Sequence, residues 1–62
     1  MTQWTLEALR VNKGWTQQDV ADRLGVSRYT VINWERKRPK ELVIYALSAL
    51  YEVDINAINA SG

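Results

Sequence analysis

The sequence predicts an all-α fold, a compact bundle of five short helices forming one domain over residues 1–62. Two observations lead there. Apolar residues recur at three- and four-residue spacing. Hydroxyl or acidic residues stand where helices would start, while Gly14, Gly25 and Pro39 stand where they would stop.

Leu6 and Leu9 share a helical face, and Gly14 suits the left-handed conformation that ends a helix, so the first helix is expected over about 5–13. Thr16-Gln17-Gln18-Asp19 then offers a hydroxyl to the free amides of a new helix and, three residues on, an acid for its positive end. Val20, Ala21 and Leu24 are expected to face the core. Gly25 can take a positive φ, which lets the chain turn sharply over Gly25-Val26-Ser27. Ser27 caps a third helix whose inner face is Val31 and Trp34, with Ile32 at its margin, leaving Arg28, Tyr29, Thr30 and Asn33 outward. Pro39 stops that helix, and Arg36-Lys37-Arg38-Pro39-Lys40 reads as a basic loop. From Glu41 to Tyr51, Val43, Ala46, Leu47 and Leu50 recur at helical spacing in a segment apolar enough to be buried on more than one side. Asp54 caps a short fifth helix holding Ile55 and Ile58, so helices four and five cover about 41–59, and the end at 60–62 is expected to fray.

A chain of 62 residues buries only about 60% of the surface its unfolded form exposes, so its stability margin is thin. With no Cys and no His there is no disulfide, no thiolate or imidazole metal site and no Cys or His nucleophile. The remaining carboxylates, hydroxyls and lysines form no recognisable catalytic constellation, so no catalytic residue, metal, cofactor or small-molecule effector is expected. The hydrophobic share of 47% is that of a folded rather than a disordered chain. No apolar run approaches the roughly 20 residues needed to span a bilayer, and Met-Thr-Gln-Trp-Thr lacks a signal-peptide pattern, so a cytoplasmic protein without a membrane partner is expected. Net charge is only +1, but Arg28, Arg36, Lys37, Arg38 and Lys40 against Glu35 give the 28–40 segment +4 and leave −3 elsewhere.

Two helices joined by a three-residue turn containing Gly, followed by a helix with a polar outer face, is the geometry that sets a recognition helix into the DNA major groove. The run Thr16-Gln17-Gln18-Asp19-Val20-Ala21-Asp22-Arg23-Leu24-Gly25-Val26-Ser27-Arg28-Tyr29-Thr30-Val31-Ile32-Asn33-Trp34-Glu35-Arg36 resembles the Cro and phage-repressor, Xre-type helix-turn-helix. The resemblance places the helix-turn-helix core at 16–36 and the recognition helix at about 27–37. Leu6–Lys13 looks like the first helix of this lambda-repressor-like fold, and Leu47–Ile58 like its closing helices. It implies packing roles for Ala21, Gly25, Val31 and Trp34, and an ion pair between Arg10 and Glu35. The chain departs from the pattern at Lys37, where the family often has Gly, and in a loop before helix four that is two residues shorter.

The same resemblance implies that the protein regulates transcription by binding operator DNA as a homodimer, in the manner of a Cro-type repressor of a prophage or similar element. Gln17 resembles the family's backbone-clamping glutamine, and the amides of Thr16 to Gln18 stand at a positive helix end suited to a phosphate. Arg28 has the fork that matches guanine, Asn33 can pair with adenine, and Tyr29 can pack on a thymine methyl or bond a phosphate. Ser27 and Thr30 are weaker candidates; Arg36, Lys37, Arg38 and Lys40 would add charge against the backbone. Trp4, Trp15 and Trp34 could suggest base-stacking platforms, but Trp34 on the core face and Trp15 before a helix start favour packing. An apolar excess at Tyr51, Val53, Ile55 and Ile58 points to that end as the dimer interface. The alternative function is a protein-interaction module of the antitoxin or antirepressor type on the same fold.

Overall fold

The structure, a computed structural model, describes residues 3–60. In chain order it contains strand β1 (Trp4–Thr5), helices α1 (Leu6–Asn12), α2 (Gln17–Leu24), α3 (Arg28–Arg36) and α4 (Glu41–Tyr51), a 3-10 turn (Ile55–Ala57) and strand β2 (Ile58–Asn59).

Local chemistry sets the ends of these helices. The Thr5 hydroxyl accepts the Ala8 amide at 3.1 Å and starts α1, and Gly14, at φ 76°, turns the chain out of it. Thr16 and Asp19 form a reciprocal capping box at α2: the Asp19 amide donates to the Thr16 hydroxyl at 3.0 Å, and the Thr16 amide to the Asp19 carboxylate at 2.8 Å. The bond from the Thr16 amide, reinforced by the Thr16 side chain, holds the Asp19 carboxyl below its usual range. Gly25 ends α2 at φ 68°, and Ser27 caps α3 by accepting the Thr30 amide at 3.2 Å.

Val20 and Ala21 are completely buried, where α2 packs on α3. The small Ala21 side chain lets the two helices approach, and Val31 meets them from α3 at 2% exposure. Leu6 and Leu9 of α1 and Ile44, Leu47 and Tyr51 of α4 complete this core, with Trp15, Leu24 and Trp34 half-buried against it. No helix among the described residues is long and apolar enough to cross a membrane.

The structure corrects three expectations. Among the described residues there are four α-helices, not five: Asp54 caps only a three-residue 3-10 turn, and the chain then enters β2, which pairs in parallel with β1 in the register Trp4↔Ile58. The segment is too short to repay helix nucleation, whereas pairing satisfies its backbone and buries Ile58. Ala60, assigned to a fraying end, is buried beside it; residues 61 and 62 lie outside the described residues. In α4 the inward residues are Ile44, Leu47 and Tyr51, with Val43 and Leu50 at the margin and Ala46 exposed. The helix is buried on one side only, and the expected face was about one residue out, because nearly every position of α4 is apolar and spacing alone does not orient it.

Candidate nucleic-acid interface

The third helix is held from below by Val31 and from its far end by Glu35. Arg10 of α1 donates from Nε to Glu35 Oε2 at 2.7 Å and from Nη2 to Oε1 at 3.3 Å, and its Nη1 donates to the Trp15 carbonyl at 2.9 Å. Their side chains are 12% and 9% exposed. The hydrogen bond to Glu35 outweighs the cost of burial and raises the Arg10 guanidinium above its ordinary value, so the residue stays charged. The ion pair expected from the sequence is therefore present, and it fixes the start of α2 as well, because Gln17 Nε2 donates to Glu35 Oε1 at 3.2 Å.

With its inner side so anchored, α3 turns Arg28, Tyr29, Asn33 and Arg36 to solvent, Tyr29 at 70% exposure. Thr30 is half-buried and shares a 2.9 Å hydrogen bond with the hydroxyl of the exposed Ser27 at the helix start. Arg28 reaches the other helix N-terminus: with Gly14, Thr16, Gln17 and Gln18 it lines an open cleft of about 640 Å³. Lys37, Arg38 and Lys40 extend the same charge as exposed residues. Neither ion pair seen among the described residues, Arg10–Glu35 and Lys13–Glu52, draws on a cation of the 36–40 segment. The one acid within that basic region, Glu35, is already paired with Arg10, so the exposed surface there is cationic.

Several residues sit differently from the sequence expectation. The Thr16 amide, expected to be open to a phosphate, is occupied by Asp19, which leaves the amides of Gln17 and Gln18 at that helix end. The Gln18 side chain is engaged as well, donating to Asp22 at 2.8 Å. Lys37 ends α3 with φ −129° and ψ 151°, an extended backbone rather than a left-handed one. Glycine has no advantage there, and the chain runs directly to Pro39. Tyr51 and Ile58, two of the four residues assigned to a dimer interface, are 3% and 7% exposed and are spent inside the fold. Only Val53 and Ile55 of that set keep surface.

Trp15 packs as expected on the core, its ring centroid 6.1 Å from that of Tyr51, and the Arg23 guanidinium lies over the ring at 4.1 Å from its centroid. Trp34 is half-buried in the same way, whereas Trp4 is 52% exposed. The link from Gln17 to Glu35 was missed, and only the resemblance of Arg10 and Glu35 to a known pair could have suggested that the nearby Gln17 would join them. Also missed was the outer side of α4, where Leu42 and Tyr45 are 83% and 55% exposed.

A family model for the helix-turn-helix matches residues 6–58, from the first residue of α1 to the first of β2. Comparison with curated proteins and with solved structures gave no match. The matched span contains α2, the Gly25 turn and α3 in the arrangement described above, together with the Arg10–Glu35 tie beneath them. The chain belongs to the helix-turn-helix family of DNA-binding domains, of the Xre and lambda-repressor type.

Proposed function

We propose that the protein is a sequence-specific transcriptional regulator that binds operator DNA by laying α3 in the major groove. One observation carries this reading: the outer side of α3 presents Arg28, Tyr29, Asn33 and Arg36 to solvent on a helix whose inner side is fixed by Val31 and Glu35. A groove-reading helix needs that combination, since side chains can select bases only when their backbone is held still.

Affinity comes from Arg36, Lys37, Arg38 and Lys40 against phosphates, with release of condensed counterions, and sequence selection comes from base edges. Arg28 is assigned to guanine O6 and N7, Asn33 to adenine, and Tyr29 to a thymine methyl. Gln17 and Gln18 line the cleft shared with Arg28, and their amides at the start of α2 would receive a phosphate there. Gln17's side chain keeps its carbonyl for a water or donor while Nε2 holds Glu35, so its part in DNA binding is to keep the two helices in register. The domain is 31 Å in its longest extent, commensurate with half-sites roughly 34 Å apart, and two copies on a twofold operator would repress by occupying it.

Selection of bound sequences from a random duplex library at physiological salt tests this directly, run in parallel with Arg28→Ala and Asn33→Ala proteins. The expected result is a palindromic consensus that relaxes at one position per half-site in each variant, at a cost of about 1–3 kcal/mol per lost contact. Absence of enrichment from a folded protein would overturn the reading and favour a partner-binding module.

A further inference from the structure

Three cations, Arg10, Lys13 and Arg23, lie outside the basic 28–40 segment. Arg10 and Lys13 pair with Glu35 and Glu52, whereas Arg23 takes part in neither ion pair seen among the described residues. Its guanidinium lies over the Trp15 ring instead, with Cζ 4.1 Å from the centroid. At that distance the negative face of an indole attracts a cation. Lys13 Nζ stands farther from the same ring, at 5.9 Å, and is drawn to Glu52.

Trp15 is the residue just before the cap of α2, and its backbone is tied to α1. Its amide donates to the Arg10 carbonyl at 3.2 Å, and its carbonyl accepts Arg10 Nη1 at 2.9 Å. Its ring rests near that of Tyr51 in α4, centroids 6.1 Å apart. Arg23 belongs to the last turn of α2, about 10 Å along the helix from Thr16. The contact therefore braces the far end of α2 against a side chain anchored on α1 and α4, and so fixes the angle at which α2 leaves Thr16. The same charge acts on the helix start: after the two bonds from Thr16, Arg23 also helps to keep the Asp19 carboxyl below its usual range. That angle shapes the cleft lined by Trp15, Thr16, Gln17, Gln18 and Arg28, because a tilt of α2 moves the Gln17 and Gln18 amides relative to Arg28.

We propose that Arg23 is a positioning residue for DNA binding: through Trp15 it holds the start of α2 in register with Arg28 around one phosphate, and it makes no contact with DNA itself. The inference deepens the DNA reading and rests on it. A cation on a DNA-binding domain is ordinarily counted as a contact to the backbone, but this guanidinium is committed to the ring. Arg23 also suits the negative end of the α2 dipole. That effect acts on stability and does not pass through Trp15.

Binding to a duplex carrying the selected consensus, measured from about 50 to 200 mM salt, tests this with Arg23→Gln, Trp15→Leu, the double variant and Arg28→Gln. Arg28→Gln should flatten the dependence of log affinity on log salt by about 0.9, the release from one phosphate. Arg23→Gln should keep the circular dichroism and the salt slope of wild type, yet bind about three- to fivefold more weakly throughout. In the Trp15→Leu background the same change should cost nothing further. A slope lowered by about 0.9 in Arg23→Gln would make Arg23 a phosphate contact and overturn the proposal. Wild-type affinity in Arg23→Gln, or an undiminished loss in the Trp15→Leu background, would overturn it too. Should Trp15→Leu fail to fold, the slope and affinity of Arg23→Gln decide alone. A folded wild type that binds no duplex would instead overturn the DNA reading, and the positioning role with it.

Discussion

Arg10 grips both oxygens of Glu35, at 2.7 and 3.3 Å, across a gap of 25 residues, and so ties the end of α1 to the end of α3. Neither group has much water to fall back on. Removing one partner strands the other charge in a mostly buried position, so Arg10→Met and Glu35→Leu should each lose about 3 kcal/mol in urea melts. The double variant should lose less than the two single losses combined, because its second change removes a charge that no longer has a partner. Single variants as stable as wild type would show that the contact is not structural.

Glu52 closes α4 in the left-handed conformation, at φ 56° and ψ 46°, and is the one non-glycine residue with positive φ among those described. A side chain costs free energy there that glycine does not. Its carboxylate returns little, since the 3.2 Å pair with Lys13 is exposed on the Glu52 side. Glu52→Gly is therefore expected to stabilise the domain by up to about 1 kcal/mol, a rise of several degrees in Tm for a chain of this size. A fall in Tm by calorimetry would mean that the Lys13 contact outweighs the backbone strain.

Burial, reinforced by the Glu35 carboxylate and partly offset by Arg10, pushes the Tyr51 phenol up to about 12. In the unfolded chain a tyrosine ionises near pH 10. Below that value the phenol is neutral in both states and its contribution is fully present; between about 10 and 12 only the unfolded form sheds its proton, and stability falls as pH rises. Tyr51→Phe removes this linkage. Denaturation midpoints at about pH 9 and about pH 11 should drop less for the variant than for wild type, and an equal drop in both would assign the alkaline loss elsewhere.

The elements that were legible in the sequence are those whose information is local. Thr16, Ser27, Gly14 and Gly25 act within one turn of themselves, and each stands in the structure where its chemistry placed it. The outward set Arg28, Tyr29 and Asn33 followed from Val31 facing in. Pairing of Trp4 with Ile58 could not be read this way, because two-residue strands 54 positions apart carry no periodic signal. In α4 the difficulty was the reverse: its apolar positions mark two faces at once, and only contact with Leu6, Leu9 and Val31 in one core shows which is covered. The cleft joining Arg28 to Gln17 likewise depends on how two helix starts meet, which neither start encodes alone.

The parallel pairing of β1 with β2 closes the chain into a ring of contacts, with its early and late segments sharing one clasp. Whatever loosens one side must loosen the other: peeling Trp4–Thr5 away removes the backbone partners of Ile58–Asn59 and uncovers Ile58 and Ala60. A cut at the limits of the matched 6–58 span would discard β1 and Asn59, three of the clasp's four residues, together with the buried Ala60, and is expected to lower the stability of what remains. Among the described residues beyond those limits Ala60 alone lies in the core, so the margins act on the fold through their backbone pairing more than through their side chains.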